Sequence, residues 1–247
     1  ISETAASHHD DPPRGTLLLG LNDLASVLLA TSRYHASSLP PQPLQLLLTF
    51  LRSESWTDGE VFPLLDLCRF AVLHPDAAAR LPWVRDATTE ACLRLEKDAV
   101  GPADTPLALT ALRLLGNALA AAPAAVDPRR FVQAVGKFTA SPVRAVRLAL
   151  ATVLLNAAAG LPKMTEEGAR EARAALLAAG KVALVQVGGY DAEAASRVLL
   201  AYGTAIHGAG GDEVVGAGEV LKDVDEGRHG KKAVEIVEDI RALLARK

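Results

Sequence analysis

Apolar residues along the chain recur with the spacing of amphipathic helices. Two segments, 106–122 and 192–206, each place a buried stripe on one helix face at steps of three or four residues: Ala108, Leu112, Leu115 and Leu119 in the first, and Ala195, Leu199, Tyr202 and Ile206 in the second. No convincing stretch alternates apolar and polar residues, as a half-buried strand does. The β-like run VALVQV at 182–187 lies inside a longer helical pattern. The pattern therefore predicts an all-α protein.

Helix boundaries are marked by capping residues and prolines. A capping side chain precedes proline at 105–106, 127–128 and 141–142, and Thr165 precedes two glutamates. Further starts are predicted at Pro43 and Pro63. One helix is expected over about 22–31, and another is expected to run from near Trp83 to about residue 97. Further helices are expected over 166–187, 192–206, 212–221 and 231–245. Ten to twelve consecutive helices with short loops stack more readily as an α-solenoid than as a closed bundle.

Four arginines lie inside runs rich in leucine and alanine: Arg69, Arg113, Arg147 and Arg197. They are 44, 34 and 50 residues apart, which is close to the length of one helical repeat. A guanidinium group keeps its charge in proteins and is rarely buried without a partner. Either the arginine stems pack while the charged ends reach water, or several of these groups converge on one anionic ligand.

Helical spacing separates most of these polar residues from the packing stripes. Arg113 and Asn117 are four residues apart and share a face, and Arg197 lies off the stripe of its own helix. Asn156 shares a face with Thr152, whereas Arg147 does not, which favours a structural role for Arg147. Structural alternatives remain open for the others: Arg69 pairing with Asp66, Arg113 and Arg197 covering apolar surface, and Asn117 and Asn156 bonding helix ends or neighbouring helices.

Composition limits the classes of function. The 247 residues carry a formal net charge of −3, which argues against general nucleic-acid binding, and no segment is expected to span a membrane. Cys68 and Cys92 are expected to be buried free thiols. No nucleophile elbow, phosphate-binding loop or metal cluster is recognisable, so we expect no catalysis, cofactor or metal. The chain begins at Ile rather than Met, which suggests a piece of a longer protein from the cytoplasm or nucleus.

Four sequence blocks resemble the PUL domain in their order: VFPLLDLCRFAVLHP at 61–75, LALTALRLLGNAL at 107–119, VRLALATVLLNAA at 146–158 and SRVLLAYGTAI at 196–206. The charged stretch HGKKAVEIVEDIRALL at 229–244 resembles the closing helix of that family. The resemblance covers most of 16–247, and residues 1–15 are expected to be a disordered lead or linker. The chain departs from the family pattern in its high alanine content, especially after Asn156.

The resemblance implies an all-α, armadillo-like α-solenoid of about six short helical repeats. It also implies a basic concave groove that binds the acidic C-terminal tail of valosin-containing protein, the ubiquitin-selective AAA segregase. Arg69 and Arg197 match the groove arginines best, and Arg113, Asn117 and Asn156 are further candidates for peptide binding. Ubiquitin would be contacted, if at all, through other domains of the full-length protein.

Two functions of different kinds follow from these expectations. The first is a monomeric, non-catalytic adaptor that links the segregase to ubiquitin-dependent protein turnover. The second is a structural or oligomerising helical scaffold with no peptide ligand, in which every arginine is paired internally. A basic groove with salt-sensitive binding of acidic peptides would favour the adaptor. A large exposed apolar patch and a mass that depends on concentration would favour the scaffold.

Overall fold

The computed structural model describes residues 14–30, 37–53, 56–97, 105–187, 192–222 and 224–247. These ranges contain helices and turns and no strand, which confirms the all-α prediction. Their twelve α-helices are α1 Arg14–Leu29, α2 Pro41–Arg52, α3 Asp58–Ala71, α4 Pro75–Ala78, α5 Leu81–Lys97, α6 Thr105–Ala121, α7 Pro128–Gly136, α8 Arg144–Gly160, α9 Glu166–Val187, α10 Ala192–His207, α11 Glu226–His229 and α12 Lys231–Leu244. Short 3₁₀ turns occupy Pro123–Ala125, Lys137–Ala140, Leu161–Lys163, Asp212–Val214 and Glu219–Leu221.

Helix α3 begins earlier than the sequence predicted. Its first turn is closed by a capping box, in which Thr57 N donates to Glu60 Oε2 at 2.9 Å. Pro63 therefore lies inside the helix and not at its start. Because proline has no N–H, the carbonyl of Gly59 lacks its usual helical donor at that position. The start of the helix is marked in the sequence by Thr57 and Glu60, three residues apart, and not by Pro63.

Three other predicted boundaries differ from the structure. Helix α1 begins at Arg14, earlier than the start predicted near Asn22, while residues 1–13 of the predicted lead lie outside the described ranges. Helix α8 begins at Arg144 because Ser141 Oγ caps a preceding turn, accepting from Val143 N at 3.3 Å. The helix expected over 212–221 is two 3₁₀ turns, separated by Gly216 with a φ of 73°.

The helices form two packed layers. In the front layer, α3, α6, α8, α10 and α12 pack side by side in chain order, and α1 packs beside α3 at one end. In the back layer, α2, α5, α7 and α9 pack in sequence and cover the front layer. The chain passes between the layers repeatedly, which makes the molecule a helical repeat solenoid, as predicted.

Contacts between α8 and α10 show that these two front helices run parallel. Arg144 meets Glu193 where both helices begin, and Thr152 meets Arg197 one or two turns further along each helix. The return path between them is α9 of the back layer. Equivalent faces of α8 and α10 are therefore presented on the same side of the molecule.

The core is filled by leucine, alanine and valine from both layers. The two stripes predicted in α6 and α10 are buried, including Leu115 and Tyr202. The segment Arg144–Lys163 is long and apolar enough to cross a membrane by length and composition alone, with a mean hydropathy of 1.5. However, 61% of that stretch is buried between neighbouring helices, so its apolar character is explained by a central position in the front layer.

Because α9 packs closely on α10, we expect that replacing Gly180 with a larger residue will destabilise the fold. A Cβ atom on Gly180 would lie 2.8 Å from Cδ2 of the buried Tyr202 ring, whereas one on Gly136 would meet nothing within 4 Å. Gly180→Ala should lower the free energy of unfolding by about 1–3 kcal/mol through overpacking. Gly136→Ala, the matched control, should raise it by up to about 1 kcal/mol because alanine favours the helix. Urea denaturation measures both, and equal effects would contradict the packing argument.

Candidate functional site

A cleft of about 450 Å³ opens on the front layer between α6, α8 and α10. Its floor is apolar and includes Leu112, Leu148 and Ala149. Its polar lining comes from five side chains: Arg113, Asn117, Arg144, Thr152 and Arg197. The structure thus brings three of the five predicted site residues, Arg113, Asn117 and Arg197, into one depression.

Arg113 is the most accessible of the predicted arginines in this cleft. Its side chain is exposed on α6 and makes no hydrogen bond or ion pair with any residue that the structure describes. Leucines on the neighbouring positions of α6 are buried, so the arginine projects from an apolar helix into solvent. Its five N–H donors are available to an incoming acceptor.

Arg197 is held between a hydroxyl and a carboxylate. Its Nη1 donates to Thr152 Oγ1 at 2.5 Å, and its Nη2 donates to Glu193 Oε1 at 2.7 Å. The other oxygen of Glu193 lies 3.6 Å from Nη2 of Arg144. One carboxylate therefore bridges two guanidinium groups at the edge of the cleft. Together with Arg113, three guanidinium charges face this one carboxylate among the residues described around the cleft, which gives that part of the site an excess of positive charge.

Both predicted asparagines bond to neighbouring helices, which confirms the structural alternative for them. Asn117 Nδ2 donates to the backbone oxygen of Arg69 at 2.8 Å, and Asn156 Nδ2 donates to that of Gly116 at 2.9 Å. The amide oxygen of Asn117 bonds to none of the described residues and borders the cleft. Asn156 lies outside the lining of the cleft. Only Asn117 therefore combines a structural bond with a place in the site.

Arg69 lies beside the cleft and not in its lining. Its Nε donates to Asp66 Oδ1 at 2.7 Å, which confirms the pairing that the sequence left open. Its guanidinium carbon also lies 4.0 Å from the ring centroid of Phe70, a cation–π distance. Asp66 and Phe70 border a second, apolar hollow of about 470 Å³ between α1 and α3. Arg69 thus contacts residues of both the apolar hollow and the basic cleft.

Arg147 is structural, as its position in the sequence suggested. The residue is 6% exposed, and its Nη1 donates to the backbone oxygens of Ser141 and Pro142 at 2.8 Å each. These carbonyls belong to the turn that precedes α8. The guanidinium group therefore ties the start of its own helix to that turn.

Two residues of the site were missed from the sequence. Arg144 precedes the apolar run of α8, so it lacks the sequence signal of an arginine inside such a run. Glu193 lies four residues before Arg197 on a predicted helix, which is the spacing of an intrahelical ion pair. That spacing was a usable signal for Glu193. The approach of Arg144 to Glu193 depends on the packing of α8 on α10, which the sequence does not contain.

Burial suppresses the acidity of both thiols. Desolvation raises the pKa of Cys68 far above its ordinary value and raises the pKa of Cys92 to about 12. Because the thiolate is the nucleophilic form, neither group is suited to attack a substrate at neutral pH. Within the described ranges, no group of three or more His, Cys, Asp or Glu side chains could hold a metal ion.

Two stacked layers of helices with a basic cleft on one layer define an α-helical repeat protein with a candidate site for an anionic ligand. The family model of the PUL domain matches residues 11–239. The chain therefore belongs to the PUL domain family, which confirms the resemblance seen in its sequence blocks. PUL domains are protein-interaction domains, so the coarse function is the binding of protein partners.

Other comparisons concern structure and curated sequences. A crystal structure of an engineered protein, a structural genomics target, matches with a TM-score of 0.45 and 16% identity. The match covers 90% of this chain and 98% of the engineered protein. A comparison with curated proteins finds no significant match.

The different environments of Asn156 and Arg113 predict different effects on stability. Asn156→Ala should lower the free energy of unfolding by about 1 kcal/mol because it removes a half-buried interhelix hydrogen bond. Arg113→Ala should change it by less than about 0.5 kcal/mol because the side chain is exposed and unpaired among the described residues. Urea denaturation followed by circular dichroism compares them. A larger loss for Arg113→Ala would contradict these assignments.

The raised thiol pKa values predict slow chemical modification. At pH 8 the native protein should react with a thiol-specific disulfide reagent far more slowly than the urea-unfolded chain, because both thiols stay protonated and inaccessible when folded. The same pKa shifts make the fold less stable at alkaline pH. The free energy of unfolding does not depend on the thiols below their unfolded pKa near 9.0, and it falls as the pH rises above that value. Rapid labelling of the native protein would refute this.

Proposed function

We propose that this domain binds the acidic C-terminal tail of valosin-containing protein through the cleft between α6, α8 and α10. Membership of the PUL family supports a protein partner, and the charge of the cleft supports an acidic one. The single observation that carries the proposal is the exposed guanidinium group of Arg113, which faces the cleft with no partner among the described residues.

An extended acidic tail fits the chemistry of this lining. Arg113 is the first contact because a carboxylate can bind it without displacing an internal acid. Arg144 and Arg197 supply further forked donors, and the free oxygen of Asn117 can accept from a peptide N–H. Hydrogen bonds to charged groups contribute roughly 1.5–3 kcal/mol each, so two or three support micromolar affinity after ordering costs.

This assignment gives the domain the role of an adaptor. It recruits the AAA segregase to ubiquitin-dependent protein turnover in the cytoplasm and nucleus, without catalysis and as a monomer. This role requires no contact between the domain itself and ubiquitin. Arg69 belongs to the border of the site in this proposal, because its charge is already engaged by Asp66 and by the ring of Phe70.

A helical scaffold with no peptide ligand is the second candidate. The internal ion pairs of Arg69 with Asp66 and of Arg197 with Glu193 favour it, because a scaffold needs its cations neutralised within the fold. Arg113 favours the adaptor instead, because its charge borders the cleft with no acidic partner among the described residues. Sedimentation at several protein concentrations separates the candidates, because a scaffold that oligomerises gains mass with concentration.

Charge reversal tests the adaptor function. Arg113→Glu should weaken binding of an acidic tail peptide at least about twentyfold, because one attractive contact is lost and one repulsive contact is gained. Arg197→Glu should also weaken it, whereas Arg85→Glu should not, because Arg85 is exposed on α5 of the back layer. Calorimetric titration measures affinity, and circular dichroism verifies folding. Equal affinity of Arg113→Glu and Arg85→Glu would refute the site.

A further inference from the structure

Glu193 lies at the edge of the cleft, between two arginines that a ligand carboxylate could also bind. It lies in the first turn of α10, with one oxygen 2.7 Å from Nη2 of Arg197 and the other 3.6 Å from Nη2 of Arg144. The same geometry, one carboxylate between two guanidinium groups, is what an acidic side chain of a peptide would adopt there. The domain thus carries an acidic group of its own in the basic site.

We propose that Glu193 is an internal competitor that limits the affinity of the cleft and selects ligands with more than one acidic group. The inference rests on the proposed binding of an acidic peptide. A first ligand carboxylate binds Arg113 freely. A second carboxylate reaches Nη2 of Arg197 only by displacing Glu193 from it. Ligands with a single acidic group therefore leave the internal pair intact and bind weakly.

The bonds around Arg197 make displacement specific to one of its nitrogens. Thr152 holds Nη1 and Glu193 holds Nη2, so the two ends of the guanidinium group have separate partners. When Glu193 leaves, Thr152 still fixes the orientation of Arg197. The side chain of Glu193 is 52% exposed, so the displaced carboxylate can turn into water without being buried elsewhere. Displacement of Glu193 therefore leaves Nη2 of Arg197 able to donate to a ligand, while the guanidinium group keeps its orientation.

The competing possibility is that Glu193 assists binding by orienting Arg197. Two features of the site weigh against a net benefit. The bond to Thr152 already supplies orientation, and the negative charge of Glu193 repels an acidic ligand at close range. Exposed intrahelical ion pairs are weak, so a ligand can break this one at small cost, and its removal should give a modest gain in affinity.

Replacing Glu193 by glutamine tests the inference with little change of shape. Glutamine keeps an oxygen that accepts from Arg197, but it carries no charge. Glu238→Gln is the matched control, because Glu238 forms an exposed intrahelical pair at 2.8 Å with Arg241 of α12, and Arg241 is not one of the arginines that line the cleft. Both variants change the net charge equally. Any difference between them therefore reports on the position of the charge and not on its amount.

Affinities would be measured by calorimetric titration with two synthetic peptides of equal length, one with a run of acidic residues and one with a single acidic residue. Glu193→Gln should bind the first peptide about two- to fivefold more tightly than the wild-type protein and Glu238→Gln do. Its affinity for the second peptide should be unchanged. Its binding of the first peptide should also depend more steeply on salt, since the variant forms the second ion pair with the ligand without breaking an internal one. A purely structural role for Glu193 would not produce that salt dependence.

The outcomes separate this inference from the proposed function. If the wild-type protein binds the acidic peptide and Glu193→Gln binds equally or more weakly, internal competition is wrong and the binding function stands. If only Glu193→Gln binds measurably, internal competition is supported in a stronger form. If no variant binds, both proposals fail. An equal gain in Glu238→Gln would also overturn the inference, because the effect would then come from net charge alone.

Discussion

A guanidinium group cannot give up its charge, so every arginine in an apolar helix requires a partner or access to water. The front layer meets this constraint differently at each position. Arg147 bonds to backbone carbonyls, and Arg69 has a carboxylate and an aromatic ring. Arg197 has a carboxylate and a hydroxyl, and Arg113 has solvent. The binding potential of the surface follows from this unequal distribution of partners, because only an incompletely neutralised cation can attract an acidic ligand.

The asparagines of the front layer have a different role from the arginines. Each reaches across to a main-chain oxygen of the preceding front helix, so the bonds from Asn117 and Asn156 fix the relation of α6 to α3 and of α8 to α6. The oxygen of Gly116 lies inside α6, so the bond from Asn156 adds specificity of alignment. The oxygen of Arg69 lies in the last turn of α3, where Leu73 N bonds to Phe70 O instead, so Asn117 also supplies a donor to a carbonyl at a helix end. The basic cleft is formed on helices whose mutual positions these amides help to define.

Periodicity and capping chemistry were sufficient to predict the helices and their stacking as a solenoid. The stripes through Leu115 and Tyr202 are buried as expected, and most helix limits fall within a few residues of their predicted positions. Prediction failed where a stronger local signal competed, as at Thr57 and Pro63, or where a positive φ at Gly216 interrupted a helical pattern. At the site, helical spacing identified Arg113 and Asn117, but it could not show which arginines the fold neutralises. That outcome depends on contacts between helices distant in sequence, such as Arg144 with Glu193.

Three side-chain hydrogen bonds described across the front layer bridge 48, 40 and 45 residues of chain, yet each one joins immediate neighbours in space. The length of an individual unit can therefore drift without altering how its front helix meets the next, because interhelix separation is set by side-chain contact and not by the connecting segments. Insertions and deletions in the turns and back-layer connections should consequently be better tolerated than changes to the few side chains that meet across the layer. In this architecture, the lengths of the connecting segments can therefore vary largely independently of the side chains that would recognise a ligand.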